Sequence, residues 1–310
     1  MSKIPELSFE DIQQEKSESI KSMSSALEDH GFFSVTNHGL SLELLDKCYK
    51  SSKDFFNLEL NKKIKYHSKS SKGARGYTPQ GIETAVGEKI ADQKEFWHHG
   101  PLIDDSFDPN IPGNLVIDEI KDFNSNFDEL YNELHLIGIR IMSAIASSIG
   151  LEKDYFYPWI NKGNSLLRSI HYPAINNVDN IHRARAHEDI NLITLLIGAE
   201  GGGLEVLSKN GNWIKVLPST NSIVCNVGDM LQLVTNKRLI STRHRVIQYE
   251  DQKSKSRYSI PFFLHPAPNV LLKSVFDDKD QGIVADDFLN ERLRAINLYW
   301  KWVRLTFFIS

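Results

Sequence analysis

After Gly163 the chain becomes a succession of short apolar runs separated by turn residues, and no other feature limits its fold as much. The runs are Leu166–Tyr172, Leu192–Ile197, Leu204–Leu207, Trp213–Val216, Ile223–Val227, Met230–Val234, Arg245–Tyr249 and Tyr258–Leu264. Gly201-Gly202-Gly203, Lys209-Asn210-Gly211-Asn212 and Gly228-Asp229 punctuate them. Short strands with regular turns predict an antiparallel barrel or jelly roll, not a parallel α/β sheet.

The first half reads as mixed helix and strand. Ile20, Met23 and Leu27 give Ser19–Asp29 a helical stripe, and Gly31 is a natural stop. A strand at Phe32–Thr36 ends in the turn Asn37-His38-Gly39, and Ser41 is placed to cap a helix carrying Leu44, Leu45, Cys48 and Phe55. Apolar residues recurring at three or four, from Ile120 to Ile145, predict one long helix over Leu115–Ile149 that backs a sheet. Helical spacing returns at Asp286–Trp302, before an apolar tail, Leu305–Ile309, that packs on the body or on another copy. These readings divide the chain into a mixed region (1–110), a backing helix (111–160), a β core (161–275) and a C-terminal helix with its tail (276–310).

Composition excludes several classes of partner. A net charge of −4, with short lysine patches diluted by Glu and Ser, offers no basic stripe for nucleic acid or an anionic membrane. No apolar run reaches the roughly 18 residues of a membrane span. The N-terminus lacks a secretory h-region, and two distant cysteines, Cys48 and Cys225, make no disulfide framework. A cytoplasmic location is the expectation, with oligomeric state open.

The chemistry centres on Ala186-His187-Glu188-Asp189, with His244 far downstream. Alternate side chains of a strand share a face, so His187 and Asp189 can converge on one point. A third ligand from a distant strand would complete two imidazoles and one carboxylate, a facial set that suits Fe(II) and leaves positions open for substrate and O₂. A lone His-x-Asp also arises by chance, with Asp189 a turn residue and His244 an ordinary buried histidine. Its company argues otherwise: Arg257-Tyr258-Ser259 follows, and Arg257 and Ser259 on one strand face form a carboxylate receptor.

With those residues in place, the sequence resembles the 2-oxoglutarate and Fe(II)-dependent dioxygenase superfamily, in its isopenicillin N synthase-like branch. The matching blocks are Gly31–Gly39, Leu192–Leu196, Asn226–Gln232 and Ser241–Val246, within residues 20 to 270. The resemblance implies a double-stranded β-helix, a distorted jelly roll with a mainly antiparallel core, flanked by helices. It implies His187, Asp189 and His244 as iron ligands and Arg257 and Ser259 as the pair binding the distal carboxylate of 2-oxoglutarate. Tyr172 matches a tyrosine that touches this co-substrate, and Asn226 takes a supporting role beneath the metal. The implied reaction hydroxylates a small molecule with O₂, releasing succinate and CO₂, though desaturation and cyclisation use the same chemistry. Asp189, where a halogenase would have a small residue, argues against halogenation. Some members of the branch, isopenicillin N synthase and aminocyclopropanecarboxylate oxidase, retain an Arg-x-Ser pair without using 2-oxoglutarate, so that oxidase chemistry is the alternative. A non-catalytic jelly-roll binding protein would have lost a ligand or the receptor, and neither loss is seen.

Candidates for the substrate pocket are Tyr77, Phe96, Trp97, His98, Arg168 and Arg185. Adjacent histidines on a strand face opposite ways, so His98 and His99 do not bind one metal together, and one of them lies off the pocket. Arg168 and Arg185 are candidate receptors for a substrate carboxylate, with a structural ion pair the alternative role for at least one.

Overall fold

The alternation of apolar residues is realised as two facing sheets with helices behind the larger one. The computed structural model describes residues 4–67, 73–83, 92–174, 182–198, 202–217, 219, 221–248 and 255–295. The N-terminal half runs β1 (Glu6–Ser8), α1 (Phe9–Gln13), α2 (Ser17–Asp29), β2 (Phe32–Thr36), α3 (Leu42–Phe56), α4 (Leu60–Lys63), β3 (Gly76–Thr78) and β4 (Glu95–His99). Helices α5 (Phe123–Ser148) and α6 (Tyr157–Ile160) precede β5 (Leu166–Tyr172), β6 (His182–His187), β7 (Ile193–Ile197), β8 (Leu204–Leu207), β9 (Trp213–Lys215) and β10 (Ile223–Val227). Then follow α7 (Asp229–Val234), β11 (His244–Ile247), β12 (Arg257–Leu264), the short pair β13 (Leu271–Leu272) and β14 (Ile283–Val284), and α8 (Ala285–Ala295).

Among the described residues, one sheet has the order β1-β2-β10-β7-β12-β5-β4-β3 and the other β6-β11-β8-β9. Every pairing is antiparallel except β1 with β2. This is the expected double-stranded β-helix. The N-terminal strands β1 to β4 extend its larger sheet on both sides of the core strands.

Period-two alternation divides the work of the central strands. On β12, Tyr258, Ile260, Phe262 and Leu264 join the main core, whereas Arg257, Ser259, Pro261 and Phe263 line a cavity between the sheets. On β5, Leu167 packs in the core and Ser169 bonds Ser52 of α3, while Leu166, Arg168, Ile170 and Tyr172 face the cavity. The core side is closed by α3 and α5, whose buried stripe includes Phe127, Leu134, Ile141 and Ile145. No helix among the described residues is long and apolar enough to cross a membrane.

Two expected elements differ. The long helix starts at Phe123, not Leu115, because Asp122 is left-handed (φ 58°) and the Asn124 side chain bonds Ile117 N and Leu115 O, folding the preceding segment back as a loop. Met230–Val234 is helix α7, not a strand. An apolar run of this length reads equally as a strand or a buried helical turn, and here the amides of Asp229 and Met230 are drawn onto carbonyls of the Asp189–Asn191 loop. Elsewhere the strand ends shift by one or two residues. Tyr249, Gly201, the end of the C-terminal helix beyond Ala295 and the apolar tail lie outside the described residues.

Candidate metal centre and its cavity

His187 closes β6, His244 opens β11, and the two are paired across the smaller sheet. Asp189 is not on the strand that carries His187 but in the loop after it, so the turn, and not the pleat, brings it round. Ligand atoms of all three side chains lie within 4.8 Å of one another. The Nε2 atoms of His187 and His244 stand 3.8 and 3.7 Å from Asp189 Oδ1.

The surrounding hydrogen bonds fix each group in its ligating form. His187 Nδ1 donates to the carbonyl of Arg185 (2.7 Å) and His244 Nδ1 to that of Thr242 (3.1 Å), which leaves both Nε2 lone pairs turned to the centre. Asp189 Oδ2 accepts from Thr194 Oγ1 (2.6 Å) and Asn226 Nδ2 (2.8 Å), so Oδ1 remains for a cation. Thr194 Oγ1 in turn accepts from Asn191 Nδ2 (2.9 Å). Burial would raise the Asp189 pKa, but His244, His187 and the bonds from Asn226 and Thr194 together hold it below the usual carboxylate range. Burial, reinforced by His244, lowers the His187 imidazole to about 4, which keeps it neutral. Two imidazoles presenting Nε2 and a carboxylate with one committed oxygen fit a divalent iron. Gly228 permits the close packing below them, since a Cβ there would stand 2.2 Å from the Asn191 carbonyl oxygen.

The cavity above the triad has a volume of about 460 Å³. Arg257 and Ser259 line it from β12, and Tyr172 sits opposite Arg257 in the β5 register. The guanidinium lies 5.2 Å from the Tyr172 ring centre and is buried, yet its Nε and Nη1 have no hydrogen-bond partner. A buried guanidinium in that state is a receptor for an anion. The fit to a carboxylate is therefore good.

The expected pocket residues separate. His98 and Arg168 line the cavity. Tyr77 and Trp97 do not: both are buried in the aromatic core around Phe55, and Tyr77 Oη donates to Glu95 Oε2 (2.5 Å). Strand alternation is the reason, for it turns Glu95, Trp97 and His99 to the helix side of β4. Phe96 faces the cavity side but lies behind Arg168, its ring 4.3 Å from the guanidinium carbon. Arg185 is held by Asp92 (3.3 Å), off the cavity wall. His99 bonds Asp128 of α5 (2.7 Å), so the histidine pair does split between two faces.

Several contributors escaped the motifs. Thr194 and Asn191 steady Asp189, and the only signal was a threonine inside the apolar run Ile193–Ile197. Glu83 and Lys94 also line the cavity, joined at 2.7 Å. Helix α8 covers one side with Leu289, Asn290 and Leu293, and its Arg292 binds Asp229 and lies 3.8 Å from Glu188, between two of the triad residues. No sequence spacing foretells a clamp made by residues so far apart.

Comparison with known proteins follows this architecture. The profile of the 2OG-Fe(II) oxygenase superfamily matches residues 163–266, and that of the N-terminal region of non-haem dioxygenases in morphine synthesis matches residues 4–115. A proline hydroxylase of Petromyces alliaceus is 32% identical over 83% of this chain and 84% of its own length. The crystal structure of a 2OG-Fe(II) oxygenase family protein from Caulobacter crescentus superposes with a TM-score of 0.87 at 38% identity, covering 96% of this chain and 100% of that one. A full-length Neurospora crassa protein, crystallised in complex with alpha-KG, gives 0.83 at 28% identity, covering 94% and 96%.

Proposed function

Because the chain belongs to the 2OG-Fe(II) oxygenase superfamily and is a non-haem Fe(II), 2-oxoglutarate-dependent dioxygenase, we propose that His187, Asp189 and His244 hold its iron for the hydroxylation of a small molecule. Arg257, with Ser259 and Tyr172, receives the distal carboxylate of 2-oxoglutarate. The observation that carries this reading is the pairing of a preformed triad with a buried guanidinium whose Nε and Nη1 have no partner. Bound Fe(II) supplies the activation of O₂ that couples oxidative decarboxylation of 2-oxoglutarate to oxidation of the substrate.

The chain's own residues set the conditions for that chemistry. Thr194 and Asn226 keep Asp189 ionised and hold one of its oxygens away from the centre. The carbonyls of Arg185 and Thr242 hold the imidazoles in one tautomer. Arg257 and Ser259 orient the co-substrate from its far end. Small substrates fit a cavity of about 460 Å³. A proline hydroxylase among the relatives, and a second crystal structure of the Neurospora crassa protein, in complex with alpha-KG and thymine, support that scale.

Anaerobic titration of the metal-free protein with Fe(II), with and without 2-oxoglutarate, tests the assignment. A weak visible charge-transfer band should require both and vanish in Arg257→Ala and His244→Ala. Iron binding without the band would point to an oxidase that does not use 2-oxoglutarate. Unchanged iron binding in His244→Ala would remove that residue from the ligand set.

A further inference from the structure

At the opposite end of the β5 cavity face from Tyr172 stands a second, partly buried cation. Arg168 and Tyr172 share that face four residues apart, which places them roughly 13 Å from each other along the strand. Arg168 lies between two rings, its guanidinium carbon 4.3 Å from the Phe96 centre and 5.3 Å from that of Phe263. Its Nε donates to His98 Nε2 (2.6 Å) and its Nη1 to Glu83 Oε2 (3.2 Å). His98 is committed to accepting, because its Nδ1 donates to the carbonyl of Gly73 (2.8 Å).

Two features distinguish this arrangement from a closed structural ion pair. Glu83 divides its carboxylate between Arg168 (3.2 Å) and Lys94 (2.7 Å), and Asp92 likewise serves Lys94 (3.1 Å) and Arg185 (3.3 Å), so among the described residues two carboxylates are shared by three cations. Nη2 makes no hydrogen bond to the protein among the described residues, and the side chain lines the cavity. Two ring contacts, one fixed edge and an open corner make a positioned donor facing the space for a substrate. A neutral acceptor would leave that charge uncompensated in a low-dielectric wall, whereas a carboxylate would balance it.

We propose that Arg168 anchors a carboxylate of the substrate, with His98 as its positioning residue. The oxidised molecule is then a small carboxylic acid, tethered at the far end of the cavity from the co-substrate. This rests on the preceding reading of the site, and it adds the substrate's chemical class and the residue that selects it.

The test is calorimetric titration with L-proline, L-pipecolic acid, benzoic acid and orotic acid, each beside its carboxamide, and with thymine as a neutral ring. It is run on the protein with and without anaerobic Fe(II) and 2-oxoglutarate. At least one acid should bind ten-fold or more tighter than its amide. That preference should disappear in Arg168→Gln, which retains a donor toward His98 and Glu83, and persist in part in Arg168→Lys. The charge-transfer band should survive in both variants. Equal affinity for acids and amides, tighter binding of thymine than of any acid, or an unchanged preference in Arg168→Gln would overturn the proposal. Loss of the band in the unaltered protein with the acid preference intact would instead sink the iron and co-substrate reading and leave the anchor standing.

Discussion

Arg257 and Arg168 face one cavity from neighbouring strands, yet the protein treats them differently. Among the described residues Arg257 is held by packing and by the Tyr172 ring, with Nε and Nη1 unpartnered. Arg168 is fixed by His98, Glu83 and two phenyl rings, with one corner left over. A buried charge without partners destabilises the ligand-free protein and gains most on binding, which suits a group that must recognise a dianion. A charge already bonded contributes to the fold first and adds direction to a ligand afterwards. Function at one end of the cavity is therefore set against stability, and at the other end aligned with it.

The strongest way to break this contrast is Arg257→Met. Affinity for 2-oxoglutarate should fall by about 100-fold or more, the usual penalty for removing one side of a buried charged pair. Scanning fluorimetry without ligand should show a melting temperature equal to or above that of the unaltered protein. A clear loss of ligand-free stability would mean that Arg257 is structural after all.

His265 sharpens the contrast through pH. This cavity-lining histidine is pushed down to about 4 by burial and by the positive charges of Arg75 and Arg168, against the opposing pull of Asp189. Its ordinary unfolded value is about 6.5, so between there and pH 4 the unfolded chain binds the extra proton. The contribution of His265 to stability is therefore undiminished above about pH 6.5 and falls as the pH drops toward 4, by about 3 kcal/mol for this one group. His265→Asn should make that part of the stability profile shallower, with the similarly shifted His187 keeping some slope in it, and an unchanged slope would refute the assignment.

Arg168→Met should behave in the opposite sense to Arg257→Met. Glu83 and His98 would each lose a partly buried partner, lowering stability by about 2 kcal/mol in urea unfolding. Affinity for 2-oxoglutarate should stay within about three-fold. A large effect on the co-substrate would erase the distinction between the two ends.

The smallest effect is expected at Tyr77→Phe. Its hydroxyl serves Glu95 in the core, so stability should fall by about 1 kcal/mol while substrate turnover and co-substrate affinity are unaltered. Altered turnover would return Tyr77 to the pocket.

Most of the β core was legible because antiparallel strands with one face on a core and one on a cavity write their alternation into the sequence. Arg257 and Ser259 were found this way, and so was the splitting of His98 from His99. Tyr77 and Trp97 were named beside Phe96 and His98 without applying that rule, and even when applied it shows only which residues share a face, not whether that face looks toward the helices or the cavity. Met230–Val234 failed for a related reason, since α7 has only six residues, too few to separate a period of two from a period of 3.6.

By itself the sequence determined the class of fold and the types of ligand, because periodicity, turn residues and local order of donors are properties of a chain. Only the tertiary structure decided which donors remain available. Asp189 keeps one oxygen for a cation because Thr194 and Asn226, from β7 and β10, take the other. Arg168 keeps one corner because β4 supplies His98 beside it and the segment leading into that strand supplies Glu83. Saturation of a hydrogen-bonding group depends on neighbours that arrive from elsewhere in the chain, and their arrival is fixed by packing.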